Sequence, residues 1–338
     1  MDDIGEGTRA AQVGEVAEVE STLDLEKDLP KTKKKKSSLR DKQGKKLFLL
    51  IVPFLILVFL FSYFPLHGWI YAFYDYRAPL SLSQCPFVGF KWFAMLFTNE
   101  TQVAQLIQVM KNTFAMSLLG MATSFLPVLF AVFLNEINCK WFKNCVQTLT
   151  TLPNFISWTL VYAVAFCLFS SSGMVNTVLQ NIGAIAEPIR FLDSPEHTWL
   201  KMMLWNIWKG LGWGSIMYLA AIAGIDQEVY EAARVDGASR WQIIKSITIP
   251  LLMPTFFVML MLSVANFLNN GMDQYYVFQN AFNKQTIQVL DLYVYNIGMT
   301  GKNLSLATAI GVLKSVISVT LLMLVNFISK KTRGEGIV

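Results

Sequence analysis

Apolar runs of about twenty residues, separated by more polar stretches, organise the chain from Leu47 onward. An α-helix rises about 1.5 Å per residue, so about 20 apolar residues cross about 30 Å of hydrocarbon. Leu47 to Leu66 meets that length without a charged residue. Five further runs follow, at about Thr113 to Ile137, Leu149 to Phe169, Met202 to Ile222, Ile249 to Leu268 and Leu306 to Ile328. The pattern predicts an all-α membrane protein with six transmembrane helices. The first run is too long, and lies too far from the N-terminus, for a signal-peptide core. No A-x-A cleavage pattern follows it, so it is read as a retained span.

Charge in the short flanks sets the orientation, because Lys and Arg concentrate on the cytoplasmic side. Ten of them lie between Lys27 and Lys46, and Lys330, Lys331 and Arg333 follow the last span. Lys140 and Lys143 follow the second span; Arg234, Arg240 and Lys245 follow the fourth. All fall on one side if both termini are cytoplasmic. The stretches His67 to Asn112, Ser170 to Lys201 and Asn269 to Asn303 are then outer loops, poorer in Lys and Arg and carrying Trp69, Tyr71, Tyr74 and Trp92. Residues 1–44 are acidic from Asp2 to Asp28 and turn basic from Lys31. Such blocks cannot bury apolar surface and are expected to form a disordered cytoplasmic tail. A basic block could meet nucleic acid, but the span that follows at once favours anionic lipid as its partner. The predicted organisation is therefore a tail over 1–44, a six-span domain over 45–333 that includes a charged loop at 226–250, and a short tail over 334–338.

Composition narrows the chemistry. Of 338 residues, 54% are hydrophobic and 15% charged, whereas soluble domains carry about 25% charged residues. The four cysteines are scattered. Cys85 falls in an outer loop, Cys139 and Cys145 in a short inner loop with no His nearby, and Cys167 in a span, so neither a disulfide framework nor a zinc site is indicated. His67 and His197 lie in outer loops near span ends and assemble no Ser/His/Asp set. No G-x-x-x-x-G-K-[ST] phosphate loop is present; "GKN" at Gly301 has neither the spacing nor the hydroxyl. No Asp or Glu falls inside a predicted hydrocarbon core, and Glu136 sits at an inner end. Proton-driven carriers commonly need intramembrane carboxylates. The chain is expected to be neither an ATPase nor a hydrolase, with no catalytic residue, metal or cofactor of its own.

The charged loop has the signals of two short helices around a corner. Asp226 can cap the first, with Glu228 in its first turn. Val229, Ala232 and Ala233 make a small apolar face at helical spacing. Gly237 can take the positive φ of a helix end. Ser239 and Gln242 give the capping-box pattern of a second helix, with Trp241, Ile244 and Thr248 on one stripe. Pro250 and Pro254 mark a bend into the fifth span. Two roles fit: an amphipathic loop resting on the bilayer, or a rigid element docked in a partner's groove.

Glu231-Ala232-Ala233, three residues, Gly237, nine residues, then Ile247, one residue, Ile249 and Pro250 resembles the EAA loop of importer-type ABC transporter permeases. That motif ends I-x-L-P, and here Ile249 replaces the Leu. "LPNFISW" (Leu152 to Trp158), "IWKGLGWGSIMYLAAIAGID" (Ile207 to Asp226) and "AIGVLKSVIS" (Ala309 to Ser318) are similar to the carbohydrate branch, the maltose-type and polysaccharide or oligosaccharide permeases. The resemblance covers about residues 45 to 333. It implies the type I ABC importer permease fold in a bacterial cell membrane. The implied partners are a cytoplasmic ABC ATPase dimer that binds ATP and Mg, a second and paralogous permease, an extracytoplasmic sugar-binding protein and an oligosaccharide. It also implies roles in ATPase coupling: Glu231 in polar contact, Ala232 and Ala233 in close packing, Gly237 at the corner, and Ile247 and Pro250 leading into the span.

Sugars are held by amides, hydroxyls and aromatic faces. Candidates for the path are Asn154, Trp158, Asn206, Lys209, Asn266 and Asn270, with Asn269 beside them; interhelical hydrogen bonding is the competing role for each. Lys209 could line a cavity or snorkel outward. Gly210 and Gly214 have the GxxxG spacing of close helix packing. Lys314, about 12 Å along the sixth span, either snorkels or donates to a hydroxylated sugar, neutral or acidic, with a carbonyl or Asn as its resting partner. An ATP-independent secondary carrier and a membrane scaffold for a cytoplasmic complex remain as alternatives; neither explains the spacing of the 226–250 loop.

Overall fold

The computed structural model describes residues 38–333; the expectations for the acidic tail, for most of the basic block and for 334–338 lie outside the described residues. The chain divides into two units at Leu66. In the first, helix α1 (Ser38–Val58) runs on through a π-helical turn, Phe59–Tyr63. Its apolar residues point out in every direction, with Leu49 72% and Phe61 76% exposed. A helix apolar all round is one whose solvent is hydrocarbon.

The second unit is built almost wholly of helices; among the described residues the only β contact is an isolated bridge, Tyr74 to Phe87. A short helix α2 (Lys91–Thr98) leads into α3 (Glu100–Ala122), whose first turn is capped by Asn99 accepting from the Thr101 and Gln102 amides. After a break at Thr123–Phe125 the chain continues as α4 (Leu126–Asn135), then α5 (Lys140–Thr151). Pro153 ends α5 in a 3-10 turn, and Ser157 caps α6 (Trp158–Phe169). Helix α7 (Met174–Asn181) is followed by the long α8 (Thr198–Ala223). Two short helices, α9 (Gln227–Val235) and α10 (Arg240–Ile243), lead through a π turn into α11 (Ile249–Ala265). Helices α12 (Asp273–Phe278), α13 (Lys284–Ile287) and α14 (Leu290–Tyr295) precede the final α15 (Leu304–Arg333).

Among the described residues five stretches are long and apolar enough to cross a membrane: Lys46–Phe73, Glu100–Asn135, Trp158–Asn181, Arg240–Ala265 and Leu304–Lys331. The remaining predicted span coincides with α8. At 26 residues it has the length, but Asn206, Lys209 and four tryptophans dilute its apolarity. Helix α8 packs along α4, α5 and α11, and its buried Lys209 meets protein there. Below it Val128, Ala131, Val132, Tyr218, Ile222, Ile244 and Leu252 form a core that supports the charged loop.

Three expectations change. The second span starts near Glu100 rather than Thr113, because Val109 and the half-buried Leu106 and Met110 pack inward among the glutamines. The third is broken at Leu152–Ser157. Most consequentially, the stretch Asn269 to Asn303, expected as an outer loop, carries part of the core. Ile287, Val289 and Leu292 are fully buried and join Met116, Val161 and Met202 in one core. Irregular backbone at this depth survives because protein covers it and satisfies it. Asn112, also fully buried, donates to the carbonyls of Gln285 (2.8 Å) and Gln288 (3.0 Å), while Thr113 accepts from the Leu290 amide at 2.9 Å.

Candidate functional site

Two regions gather the residues singled out by sequence. The first is the charged loop. Asp226 caps α9 by accepting from the Glu228 amide at 3.0 Å. The helix ends in a Schellman arrangement: the Ala238 amide donates to Ala233 O (3.0 Å) and the Gly237 amide to Arg234 O (3.1 Å), with Gly237 at φ +77°. Ser239 and Gln242 form the reciprocal capping box of α10. Two short capped helices thus meet at a corner fixed by backbone hydrogen bonds.

The loop is tied to the bundle at a buried point. Tyr230 and Thr248 share a hydroxyl hydrogen bond of 3.2 Å across the corner. The buried stripe of the second helix is Ile243, Ile244 and Thr248; Trp241, expected on it, is 63% exposed. Glu231, Ala232, Gly237 and Pro250 are exposed and Ala233 and Ile247 half-buried. Val229 and Val235 (88%) are exposed as well. Around the buried Tyr230, Glu231, Ala232 and Val235 of α9 and Trp241 of α10 project outward. Beside it lies a polar cavity of about 460 Å³ lined by Asn135, Glu136, Tyr230, Arg234, Arg240 and Ile243.

The candidate path residues separate into two groups. Lys209 neither snorkels nor lines a cavity. It is buried, and its Nζ donates to the carbonyls of Pro153 (3.0 Å) and Asn154 (2.8 Å), 5.4 Å from the Trp158 ring. Those carbonyls belong to the broken third span, where Pro153 has interrupted the helical ladder, so Lys209, Asn154 and Trp158 form a cap for a helix end. Asn206 is exposed on α8. The close approach on α8 is not at Gly210, which has open space. It is at Gly212, where an added Cβ would lie 2.3 Å from the backbone of Thr150, and at Gly214, against Pro127.

The second group lies along α15, at the end of α11 remote from the charged loop. Asn266 is exposed, and Asn269 donates to it at 3.3 Å. Asn270 accepts from Ser117 at 3.1 Å. Tyr275 lies against Asn270: burial pushes its phenol up to about 12, while the Asn270 hydrogen bond pulls the other way. Lys314 finds neither a carbonyl nor an amide as its partner but a carboxylate, Asp291 of α14. Asp291 is held in turn by the Gly271 amide at 3.0 Å. The pair lines a groove of about 440 Å³ with Asn269, Gly311, Ser315 and Ser318. A recess of about 400 Å³ adjoins it, sharing Val294, Gly311 and Ser315 and reaching Trp69, Tyr295 and Thr308. The composite groove offers aromatic faces at one end and paired charges, an amide and hydroxyls at the other. Asp291 escaped sequence reasoning because its stretch reads as an outer loop; the only signal was an unpaired lysine in the next span.

Among the described residues no group of His, Cys, Asp and Glu is placed to hold a metal ion.

Residues 123–334 match the family model described as binding-protein-dependent transport system inner membrane component. The chain is 36% identical over 298 residues to protein LplB of Bacillus subtilis, covering 88% of this chain and 92% of that one. It is 37% identical to the polygalacturonan/rhamnogalacturonan transport system permease protein YteP of the same organism, covering 91% and 94%. Among solved structures it is similar to a chain of the bacterial alginate ABC transporter in complex with alginate pentasaccharide-bound periplasmic protein, with a TM-score of 0.76 and 33% identity over 88% of this chain and 98% of that one.

Proposed function

The chain belongs to the family of binding-protein-dependent transport system inner membrane components, and on that premise we propose that it is the membrane-spanning subunit of an ATP-driven oligosaccharide importer. In this reading it crosses a bacterial cell membrane six times, α8 included, with both termini cytoplasmic. It pairs with a second permease and receives its sugar from an extracytoplasmic binding protein. The chain itself catalyses nothing; a cytoplasmic ABC ATPase dimer binds ATP and Mg. The named relatives handle different sugars, polygalacturonan/rhamnogalacturonan for YteP and alginate for the solved importer, which supports oligosaccharide as the class.

The observation that carries the reading is the rigid corner at Gly237 joined to the bundle through Tyr230 and Thr248. Seated in a groove on the ATPase, α9 moves when ATP closes the nucleotide-binding subunits. The Schellman corner prevents the loop from absorbing that motion. The Tyr230–Thr248 contact and the continuous helix from Arg240 to Ala265 pass it into the fifth span. Glu231 and Ala232 then face the ATPase, Ala233 packs at the contact, and Ile247 and Pro250 form the shoulder of the span. The difference in contact energy between open and closed ATPase shifts the bundle between its two access states. The path runs along α15, with Lys314, Asn270 and Asn266 near it and Trp69 at its entrance. Asn154, Trp158 and Lys209 contribute to the broken third span that shapes it, and Asn206 faces outward to a neighbouring subunit or lipid.

The test is to purify the complex with its binding protein and measure ATPase activity across a panel of oligosaccharides. Stimulation by the loaded binding protein, restricted to sugars that are also taken up, is expected. A complex whose ATPase ignores every loaded state overturns the importer reading.

A further inference from the structure

Lys314 and Asp291 share a groove whose remaining lining residues (Asn269, Val294, Gly311, Ser315, Ser318 and Val319) carry no charge. The groove is therefore formally neutral, although its floor helix contributes a lysine. Both side chains retain some exposure, 15% for Lys314 and 19% for Asp291, so the pair is open to the groove rather than sealed behind it. Asp291 is fixed from the far side by the Gly271 amide, which leaves its other oxygen on Lys314 and limits its freedom to swing away. Next to the pair the Ser318 hydroxyl is buried and has no hydrogen-bond partner, although a buried hydroxyl normally finds one.

We propose that Asp291 is the specificity-determining counter-ion of this groove: it cancels Lys314, so that the groove takes an uncharged, polyhydroxylated stretch of sugar and discriminates against a uronate carboxylate. The inference rests on the importer reading and deepens it. A fixed ammonium beside a fixed carboxylate presents a strong donor and a strong acceptor to adjacent hydroxyls, each stronger than a neutral partner. Asn269 and Ser315 add an amide and a hydroxyl, and Trp69 and Tyr295 offer faces on which the apolar side of a pyranose can lie. A carboxylate entering the same space gives up its water. It meets Asp291 as well as Lys314, so attraction to one is offset by repulsion from the other while the desolvation cost remains. With a lysine alone the preference would run the other way.

The experiment uses the assembled importer with its binding protein in proteoliposomes containing ATP. Initial uptake is measured for a uronic-acid tetrasaccharide and for its carboxyl-reduced, neutral counterpart of the same linkage. For each variant the uronate-to-neutral ratio is divided by that of the wild type, which removes the binding protein's own preference. Asp291→Asn should raise the normalised ratio at least tenfold, and Lys314→Met, which strands the carboxylate, should lower it at least tenfold. The double variant Asp291→Asn with Lys314→Met should return to within threefold of the wild type. Where a single variant assembles poorly, the exchange Asp291→Lys with Lys314→Asp keeps a neutral pair and should keep the wild-type ratio. Ratios unchanged in assembled single variants overturn the assignment and leave the pair as a packing contact. Failure of the wild type to move either sugar with ATP sinks the importer reading instead, and the two failures are distinct.

Discussion

Gly237 allows a separation of conformation from packing. Its φ is +77° and nothing lies within 4 Å of where a Cβ would stand, so within this chain an added Cβ acts through the backbone. An L-residue with a Cβ pays about 1–2 kcal/mol to sit in the left-handed region, and a β-branched one more, because its χ1 is also restricted. If valine instead escapes to negative φ, it gives up the two Schellman hydrogen bonds, Ala238 to Ala233 and Gly237 to Arg234, at about 0.5–1.5 kcal/mol each. Either route puts Gly237→Val about 1–3 kcal/mol above the wild-type corner. At a factor of ten per 1.4 kcal/mol, the correctly shaped loop falls by about 5-fold to about 140-fold. Asn visits the left-handed region readily and supports the same cap, so Gly237→Asn should stay within about threefold of wild type, with Gly237→Ala between. The assay is paired: ATPase co-purification with the tagged permease, and ATP-dependent sugar uptake at equal membrane abundance. Both should fall in the order Asn, Ala, Val. Gly237→Val with wild-type co-purification and uptake would refute the claim that this corner transmits the stroke.

Other predictions follow from the same structure. In a background lacking Cys85, Cys139, Cys145 and Cys167, a cysteine at Ser239 should react with an impermeant thiol reagent only from the cytoplasm, and one at the exposed Glu196 only from outside; labelling of both from one side breaks the six-span topology. Gly212→Ala, whose Cβ would collide with the Thr150 backbone, should cost about 1–3 kcal/mol of stability, whereas Gly210→Ala, with open space, should be neutral; equal thermal midpoints for the two in detergent would contradict the packing described. Lys209→Met removes the donor to two carbonyls of the broken third span and should lower that midpoint while leaving unchanged which sugars are carried. A changed sugar profile would return Lys209 to the path.

Much of the molecule was written in local pattern. The apolar runs located α1, α11 and α15, because a bilayer demands length and apolarity from each span by itself. The 226–250 corner was legible to the residue: Asp226, Gly237, Ser239 and Gln242 act through hydrogen bonds to backbone within a few positions, and the structure places each bond where the sequence puts it. Residues whose partners are remote in sequence were not legible. Lys209 reads as a snorkelling or cavity-lining lysine until the break at Pro153, some 55 residues earlier, supplies the carbonyls it caps. Trp241 reads as part of an inward stripe, but the bundle takes Ile243, Ile244 and Thr248 and leaves Trp241 outside. The stretch Asn269 to Asn303 reads as an outer loop because it lacks a long apolar run. Tertiary packing makes it core, since Asn112 and Thr113, about 175 positions away, satisfy backbone groups that it cannot pair internally. That fold alone brings Asp291 to Lys314. Spacing could set the charge on the sixth span, but only the return of the chain could cancel it.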